Sequence, residues 1–308
     1  DRSGIVQVTC DREQNPAAHE VLNGVRAEYV IQVTGVVQAR PAGLANPNMP
    51  TGEVEVVATA AQVLNEAKTT PFYINEDVEL DEALRLKYRY LDLRRPAMQK
   101  NIILRHQVVN LIRNYMNGHG FLEIETPILI KTTPEGARDY VVPSRVHPGK
   151  FYALPQSPQQ LKQLLMVAGY EKYFQIARCF RDEDLRADRQ PEFTQLDVEM
   201  SFIERGDIIA MISELYTQII ETLGTKPILQ KPFPVLTYAE AMDKYGSDKP
   251  DLRFGMEHVD LGALVKDSPF GVFASAIAGG GKVKGIVAPG CAGYSRKELD
   301  DLAEVAKR

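Results

Sequence analysis

Hydrophobic and polar residues alternate one by one on both sides of a charged segment near the middle of the chain. Beyond this segment Gln195, Asp197 and Glu199 alternate with apolar residues, and ahead of it Arg181 falls in step with Gln175. A period of two predicts two strands that are each half buried. One face of the predicted sheet would then carry arginine, amide and carboxylate groups. Because such a face is costly without a charged partner, we favour a ligand site over a solvated hairpin tip.

Apolar residues spaced three and four apart predict helices on either side of this sheet. An amphipathic helix is predicted from Met98 to Gly118, and residues 121–127 then predict a strand whose proline suits a sheet edge. Further helices are predicted over residues 207–223 and 295–307. The last one opens with a serine and a glutamate at the spacing of a capping box.

A shorter helix is predicted to begin at Ser157, with Pro158 in its first turn. Four apolar residues are predicted to form its buried stripe: Leu161, Leu164, Leu165 and Ala168. Gln159 and Lys162 share another face, close to the start of the helix. The helix dipole and the ammonium would both attract a carboxylate there. An ordinary solvated helix face explains the same pattern equally well.

The first 67 residues have the pattern of a small β-barrel or part of one. β-Branched runs predict three strands, at residues 5–9, 29–37 and 54–58, and a short helix is predicted over residues 17–23. Residues 68–97 form a predicted linker that closes in a basic and aromatic run, residues 85–96. Two interpretations of this run stay open: a solvated helix between domains, or a hinge that contacts a polyanion.

Residues 98–248 predict one α+β domain, and residues 249–308 predict part of a further α+β segment. The glycine-rich residues 278–282 resemble a phosphate-binding loop only superficially. Ala276 stands where that loop needs a glycine, and Val283 stands where it needs serine or threonine. We therefore interpret the glycine run as a hairpin.

Composition limits the classes of function. The 308 residues are 44% hydrophobic and 25% charged, as in an ordinary soluble globular protein, and the net charge of −5 provides no overall basic surface for nucleic acid. The three cysteines have no metal-ligand spacing and suit a reducing compartment. No apolar run approaches the length of a membrane span. Because the first residue is not methionine, we interpret the chain as a fragment.

Four motifs together carry a resemblance to a known family. They are residues 90–95 (YLDLRR), 133–140 (TPEGARDY), 156–164 (QSPQ to KQL) and 180–197. In these motifs the chain resembles the bacterial-type aspartyl-tRNA synthetases, which are class II aminoacyl-tRNA synthetases. The segment from Pro250 resembles the insertion domain of the same enzymes. The resemblance extends over nearly the whole chain and implies an α+β catalytic domain with an antiparallel sheet.

The resemblance implies adenylation followed by transfer to tRNA. L-Aspartate would attack the α-phosphate of ATP, and the aspartyl group would pass to the 3′ end of tRNA(Asp), with tRNA(Asn) as a second candidate. Arg181 is the implied catalytic residue, because it would bridge the α-phosphate and the substrate carboxylate. The implied ATP-binding residues are Arg181, Asp182, Glu183, Arg189, Gln190 and Phe193.

The resemblance also implies how aspartate and tRNA would be bound. Lys162 would bind the side-chain carboxylate of aspartate. The complete set of implied aspartate-binding residues is Glu135, Ser157, Gln159, Lys162, Arg181, Gln195 and Asp197. The first domain would be a partial OB-fold that binds the anticodon, with Gln7 as a contact. Arg186 would reach the acceptor end, whereas Thr9 stands where the family can carry an aromatic residue.

The family pattern is incomplete in this chain. The first OB strands and the third class II motif are absent, so we predict that the chain alone forms no complete adenylation site. Mg²⁺ is expected in the full-length enzyme, with its ligands outside this chain. A homodimer and a cytoplasmic location are also implied. The alternatives are an amide synthetase paralogue that charges no tRNA and a synthetase-derived RNA-binding module.

Overall fold

The computed structural model describes residues 4–75, 78–184 and 189–306, with the backbone alone at residue 306. The chain separates into two compact units, Asp1–Arg105 and His106–Arg308, and each is described by itself. Within the described ranges, no helix combines the length and the apolar character that a membrane crossing requires.

The first unit contains a three-stranded sheet in the order β1-β3-β2. Its strands are β1 (Gln7–Thr9), β2 (Val30–Ala39) and β3 (Val54–Asn65), and helix α1 (Pro16–Asn23) packs against β3. The three predicted strands are confirmed, although β3 extends seven residues beyond the predicted end. Gly35 lies at a register shift, and a Cβ there would come within 2.3 Å of the Val57 carbonyl oxygen. Only glycine therefore allows the strands to approach so closely.

The basic run folds around one buried carboxylate. It forms two short helices, α2 (Glu82–Lys87) and α3 (Arg89–Asp92). Asp92 is fully buried and pairs with Arg85 at 3.1 Å, with Arg89 and with Arg95 at 3.5 Å. Burial by itself would raise the pKa of Asp92, but the hydrogen bonds and charges of Arg85 and Arg89 lower it. Neither of the two interpretations of residues 85–96, a solvated helix or a hinge that contacts a polyanion, included ion pairs within the run itself.

The second unit has its core between two helices and a three-stranded sheet in the order β4-β7-β8. The helices are α4 (Pro96–Gly118), which begins in the first unit, and α6 (Arg205–Leu223); the strands are β4 (Leu122–Glu123), β7 (Lys172–Phe180) and β8 (Glu192–Met200). The core consists of Tyr115, Met116, Phe121, Phe174, Met211 and Leu215, with Leu196, Val198 and Met200 packed against it. One face of the sheet is thus apolar and covered by α4 and α6.

The register of β7 and β8 confirms the two-faced strand prediction. These strands are antiparallel, with Gln175 opposite Asp197, Ala177 opposite Gln195 and Cys179 opposite Phe193. Since directly opposed residues point to the same face, the amides and carboxylates gather on the side away from the core. The antiparallel sheet is confirmed for this pair. β4 is shorter than the predicted strand at residues 121–127 and lies parallel to β7.

Helix α5 turns a different face inward from the one predicted. The antiparallel pair β5 (Val141–Pro143) and β6 (Phe151–Ala153) leads into α5 (Gln159–Val167). Lys162 is 8% exposed, whereas Leu164 is 62% exposed and Ala168 is also exposed. Leu161 and Leu165 of the predicted stripe are half-buried. The prediction was wrong for the other two residues, because Lys162 pairs with carboxylates on β8 and turns its own face of the helix toward the sheet. The N-cap residue is Pro158 rather than Ser157.

The C-terminal segment consists of short elements. They are α7 (Tyr238–Tyr245), β9 (Val259–Asp260), α8 (Gly262–Val265), α9 (Gly271–Ala278), β10 (Lys284–Gly285) and α10 (Arg296–Ala306), with 3₁₀ turns at Leu252–Phe254 and Cys291–Gly293. The glycine run is not a hairpin, because Gly279 caps α9 and β10 pairs with β9. Lys282 and Lys284 both pair with Asp243, and they lower the pKa of its carboxyl to about 2. The capping box of Ser295 and Glu298 is confirmed.

We expect the core between α4, α6 and the sheet to determine the stability of the second unit. Leu215 is 1% exposed in this core, so Leu215→Ala should lower the free energy of unfolding by about 3 kcal/mol through lost burial and a residual cavity. Leu229→Ala removes the same atoms at a residue that is 78% exposed and should change stability by less than about 0.5 kcal/mol. Chemical denaturation followed by circular dichroism compares the two. Equal midpoints for the two variants would contradict this account of the core.

Candidate functional site

A cavity of about 290 Å³ opens where β7 ends and β8 begins. Its walls are Arg181, Glu183, Asp184, Arg189, Gln190, Pro191 and Phe193. The guanidinium of Arg181 lies over the ring of Phe193, 5.2 Å from the ring centroid. An aromatic face beside cationic and carboxylate groups can hold a planar base together with an anion.

Strand pairing fixes the position of Arg181, but its side chain is left with an unpaired donor. The backbone N–H of Arg181 donates to the carbonyl of Pro191 at 2.8 Å, which ties the two strand ends together. Nε of Arg181 is buried and has no hydrogen-bond partner in the described part of the chain. Because an unpaired buried donor costs free energy, an anion bound here would supply the missing acceptor.

A second charged group lies deeper on the same sheet face. Nζ of Lys162 is 2.9 Å from Oδ1 of Asp197 and 3.3 Å from Oε2 of Glu199, and it also donates to the carbonyl of Val198 at 3.3 Å. Burial raises the pKa of Asp197 and the charge of Glu199 adds to the rise, whereas Lys162 opposes both. Oδ2 of Asp197 is buried without a hydrogen-bond partner among the described residues. An unpaired buried acceptor of this kind costs free energy.

Glu135 is held beside these groups by the turn that leads into α5. Ser157 Oγ donates to Oε2 of Glu135 at 2.8 Å, and Thr133 Oγ1 donates to Oε1 at 3.3 Å. The backbone N–H of Gln159 donates to Ser157 Oγ at 3.3 Å. Two hydroxyl groups thus position the Glu135 carboxylate, and a ligand ammonium can still pair with its charge.

The charges of these groups all act on the pKa of one buried thiol. Burial raises the pKa of Cys179 to about 11, and the charges of Asp197 and Glu135 add to the rise while those of Arg181 and Lys162 reduce it. Four of the predicted charged residues therefore lie near enough to Cys179 to influence the pKa of its thiol. Cys179 Sγ also donates to Oε1 of Gln195 at 3.2 Å, which places a fifth predicted residue there.

Other predicted residues lie apart from this group. Asp182 is exposed and does not line the cavity; its backbone N–H donates to the carbonyl of Arg138 at 3.0 Å. Gln7 lies on β1 in the first unit, where its amide donates to Glu55 at 3.3 Å. Arg186 lies outside the described residues.

Several residues of the site were not predicted from the sequence. Asp184 and Pro191 line the cavity, and Glu199 shares Lys162 with Asp197. The signal for Glu199 was available, because it continues the alternation of Gln195 and Asp197. Asp184 and Pro191 carry no such signal, since they lie in irregular backbone between the strands.

The described residues contain no group of three or more His, Cys, Asp or Glu side chains that could hold a metal ion. Asp197 and Glu199 already share the ammonium of Lys162. These carboxylates therefore do not form a ready site for a divalent cation.

Comparison with known proteins gives a consistent result. The family profile "tRNA synthetases class II (D, K and N)" matches residues 81–296, and the OB-fold nucleic acid binding domain matches residues 1–64. The chain is 59% identical over 308 residues to an aspartate–tRNA(Asp/Asn) ligase of Dehalococcoides mccartyi, with 100% of the chain and 52% of the relative covered. It is 61% identical over 307 residues to the ligase of the same name from Moorella thermoacetica, with 99% and 51% covered.

A solved structure supports the fold. The chain matches a crystal structure of a "putative aspartyl-tRNA synthetase" from Leishmania major Friedlin with a TM-score of 0.63 and 24% identity, over 73% of this chain and 45% of that one. The chain spans about half the length of the curated relatives it matches. Its N-terminal region is an OB-fold domain, and from the profile over residues 81–296 the chain belongs to the class II tRNA synthetases of the D, K and N group.

Proposed function

We propose that the complete gene product activates L-aspartate with ATP and transfers the aspartyl group to tRNA. In the first step a carboxylate oxygen of aspartate attacks the α-phosphorus, and pyrophosphate leaves. In the second step a hydroxyl at the 3′ end of tRNA attacks the aspartyl carbonyl, and AMP leaves. One observation carries the proposal: Arg181 lines the cavity beside Phe193, and its charge also acts on the same thiol as Lys162, Glu135 and Asp197.

In this proposal the cavity at the strand ends holds ATP. Phe193 stacks on the purine while Glu183 accepts from its amino group, and Arg181 neutralises the α-phosphate. Arg189 and Gln190 then lie beside the phosphates or the base edge. Asp182 does not line the cavity, so its assignment to ATP rests on the sequence resemblance alone. In-line displacement at phosphorus requires positioning and charge neutralisation, which fixed arginines provide. The backbone hydrogen bond from Arg181 to Pro191 supports this role, because it fixes the Arg181 backbone beside the cavity, and the guanidinium lies over the Phe193 ring.

Aspartate occupies the deeper part of the sheet face. Lys162 exchanges one of its protein acceptors for the substrate side-chain carboxylate. We assign the substrate ammonium to Glu135, Ser157, Gln159, Gln195 and Asp197. The hydrogen bonds of Ser157 with Glu135 and with the Gln159 backbone support this assignment, as do the contacts of Gln195 with Cys179 and of Asp197 with Lys162. Asparagine would replace a charge-assisted hydrogen bond to Lys162 by a neutral one, at a cost of about 1.5–3 kcal/mol.

Magnesium is part of the proposal only for the complete protein. The described residues contain no cluster of three or more candidate metal ligands, so no step here is assigned to Mg²⁺. The charge on phosphate is assigned to arginine side chains that the chain itself supplies.

Two observations favour this proposal over its alternatives. The OB-fold profile over residues 1–64 supports a tRNA substrate and disfavours an amide synthetase without tRNA. The partly unpaired Arg181 and Asp197 support a substrate site and disfavour a module that only binds RNA. We propose the domains 1–67 for anticodon binding, 68–97 as hinge, 98–248 as catalytic domain and 249–308 as part of an insertion.

The first test measures aspartate-dependent exchange of pyrophosphate into ATP by the complete gene product. Lys162→Gln should lower kcat/KM for aspartate by more than about 100-fold, because one buried cation and its hydrogen bonds are lost. KM for ATP should change by less than about threefold, since Lys162 does not line the ATP cavity.

Lys150→Gln serves as the matched control, because Lys150 is exposed between β5 and β6. It should retain wild-type kinetics for both substrates. Equal losses for aspartate and ATP in Lys162→Gln would argue against the assigned subsite, and exchange that does not depend on aspartate would refute the proposed function.

The tRNA specificity is proposed from the names of the relatives, which specify both tRNA(Asp) and tRNA(Asn). We expect the complete protein to charge both tRNAs with aspartate, with kcat/KM values within about tenfold of each other. Gln7 and Arg186 are the proposed tRNA contacts, in the OB-fold and near the acceptor end. Gln7→Ala should lower charging of both tRNAs and leave pyrophosphate exchange unchanged. Charging assays with purified tRNAs decide this, and charging of tRNA(Asp) alone would restrict the proposal to one tRNA.

We also propose a cytoplasmic homodimer. Leu122, Ile128 and Leu129 are exposed apolar residues in the strand and loop that follow α4, and a partner subunit would cover them. Cys10, Cys179 and Cys291 are free thiols, which suits a reducing compartment. Light scattering of the complete protein at micromolar concentration should give twice the chain mass. A monomer at that concentration would contradict the dimer.

A further inference from the structure

The loop over residues 131–140 leaves and rejoins the fold at a single place on β6. Ile130 and Ala153 exchange two backbone hydrogen bonds, at 3.1 and 2.8 Å. At the other end Leu154 N–H donates to the carbonyl of Tyr140 at 2.9 Å, and Val141 pairs with Ala153. Both ends of the loop are thus anchored on two consecutive residues, and backbone pairing with β6 does not reach its middle.

The middle of the loop is held by one buried amide. Gln156 is 1% exposed, and its Nε2 donates to the carbonyl of Ala137 at 2.8 Å while its Oε1 accepts from the N–H of Ala137 at 3.1 Å. Nε2 also donates to Oδ1 of Asp139. The side chain therefore pairs with the loop as a neighbouring strand would, with a donor and an acceptor side by side.

A contact on the far side joins the same loop to the end of β7. Nε of Arg138 donates to the carbonyl of Asp182 at 2.9 Å, and Asp182 N–H donates to the carbonyl of Arg138 at 3.0 Å. Asp182 follows Arg181 directly. The loop is therefore placed between the turn before α5 and the strand end that carries the proposed catalytic arginine.

Gln156 adjoins the residue that holds Glu135. Ser157 donates to the Glu135 carboxylate, so two consecutive residues fix Glu135 and Ala137 of the loop. Gly136 lies between these two with φ of +95°, a conformation that side chains other than hydrogen rarely permit. Any displacement of Ala137 from Gln156 would therefore move the Glu135 carboxylate as well.

We propose that Gln156 is a positioning residue: its buried amide latches the loop over residues 131–140 and so places the Glu135 carboxylate at the aspartate site. The inference rests on the proposed function. Gln156 contacts no substrate and acts only through the loop. A glutamine is required because Ala137 offers both a donor and an acceptor, and a glutamate would set a carboxylate against the Ala137 carbonyl and Asp139.

The kinetic test uses Gln156→Glu in the complete gene product. We expect KM for aspartate to rise at least tenfold, because the loop is repelled and Glu135 loses its position, while KM for ATP changes less than twofold. Gln163→Glu is the matched control: it makes the same substitution at an exposed residue of α5 and should leave both constants unchanged. Equal increases for aspartate and ATP, or an unchanged KM for aspartate, would overturn the inference.

A second variant keeps the inference testable if the Gln156→Glu protein does not fold. Asp139→Ala lies on the loop itself and removes one of the three hydrogen bonds of Gln156. We expect it to raise KM for aspartate about threefold, again without a matching change for ATP. No change in Asp139→Ala would count against the latch.

Hydrogen exchange separates failure of this inference from failure of the proposed function. Without ligands, peptides covering residues 131–140 should exchange at least fivefold faster in Gln156→Glu or Asp139→Ala than in the wild type, and peptides from β7 and β8 should be unchanged. Unchanged loop exchange would refute the latch even if the wild type activates aspartate. If the loop exchanges faster in the two variants but the wild type shows no aspartate-dependent activity, the latch is retained and the proposed function is refuted.

Discussion

A buried ammonium shared by two carboxylates is the interaction on which the polar sheet face depends. Lys162 reaches from α5 to Asp197 and Glu199 on β8, and this contact turns the lysine face of the helix inward and leaves Leu164 outside. Desolvating these charges offsets much of their attraction, so such a pair contributes little to stability by itself. The raised pKa of Asp197 reflects the same cost of burial. We infer that the group serves binding more than folding.

The sheet can carry this group because one of its faces is apolar and packed, while the other is polar. The face toward α4 and α6 is filled by apolar side chains such as Phe174 and Leu196. That packing provides the burial that folding requires, and it leaves the opposite face available for charged groups. The antiparallel pairing of β7 and β8 then sets Cys179 opposite Phe193, so that residues from both strands meet at one site.

The site also retains polar groups without partners. Nε of Arg181 and Oδ2 of Asp197 are buried and make no hydrogen bond with the described residues, which leaves one donor and one acceptor unpaired. In the proposed function, a ligand that carries both charges pairs with them. Amino acids have this combination. Groups that are fixed before the ligand arrives need little reorganisation when it binds, and this is how preorganised polar sites favour a charged reaction. The amide of Gln156 extends the same arrangement to the loop that carries Glu135.

Local pattern determined the strands around the charged segment, the long helix before them and the residue types of the site, because the periods of two and 3.6 residues follow from backbone geometry alone. Motif resemblance supplied roles for Arg181, Lys162 and Glu135. Only the tertiary structure decided which of these residues are buried and which of them pair. It turned the Lys162 face of α5 inward, made the glycine run a helix cap, buried Asp92 among three arginines and brought Glu199 to Lys162. The contacts of Lys162 join α5 to β8, and that of Arg85 with Asp92 joins α2 to α3, so they form only when the folded chain brings these elements together and removes water from between them.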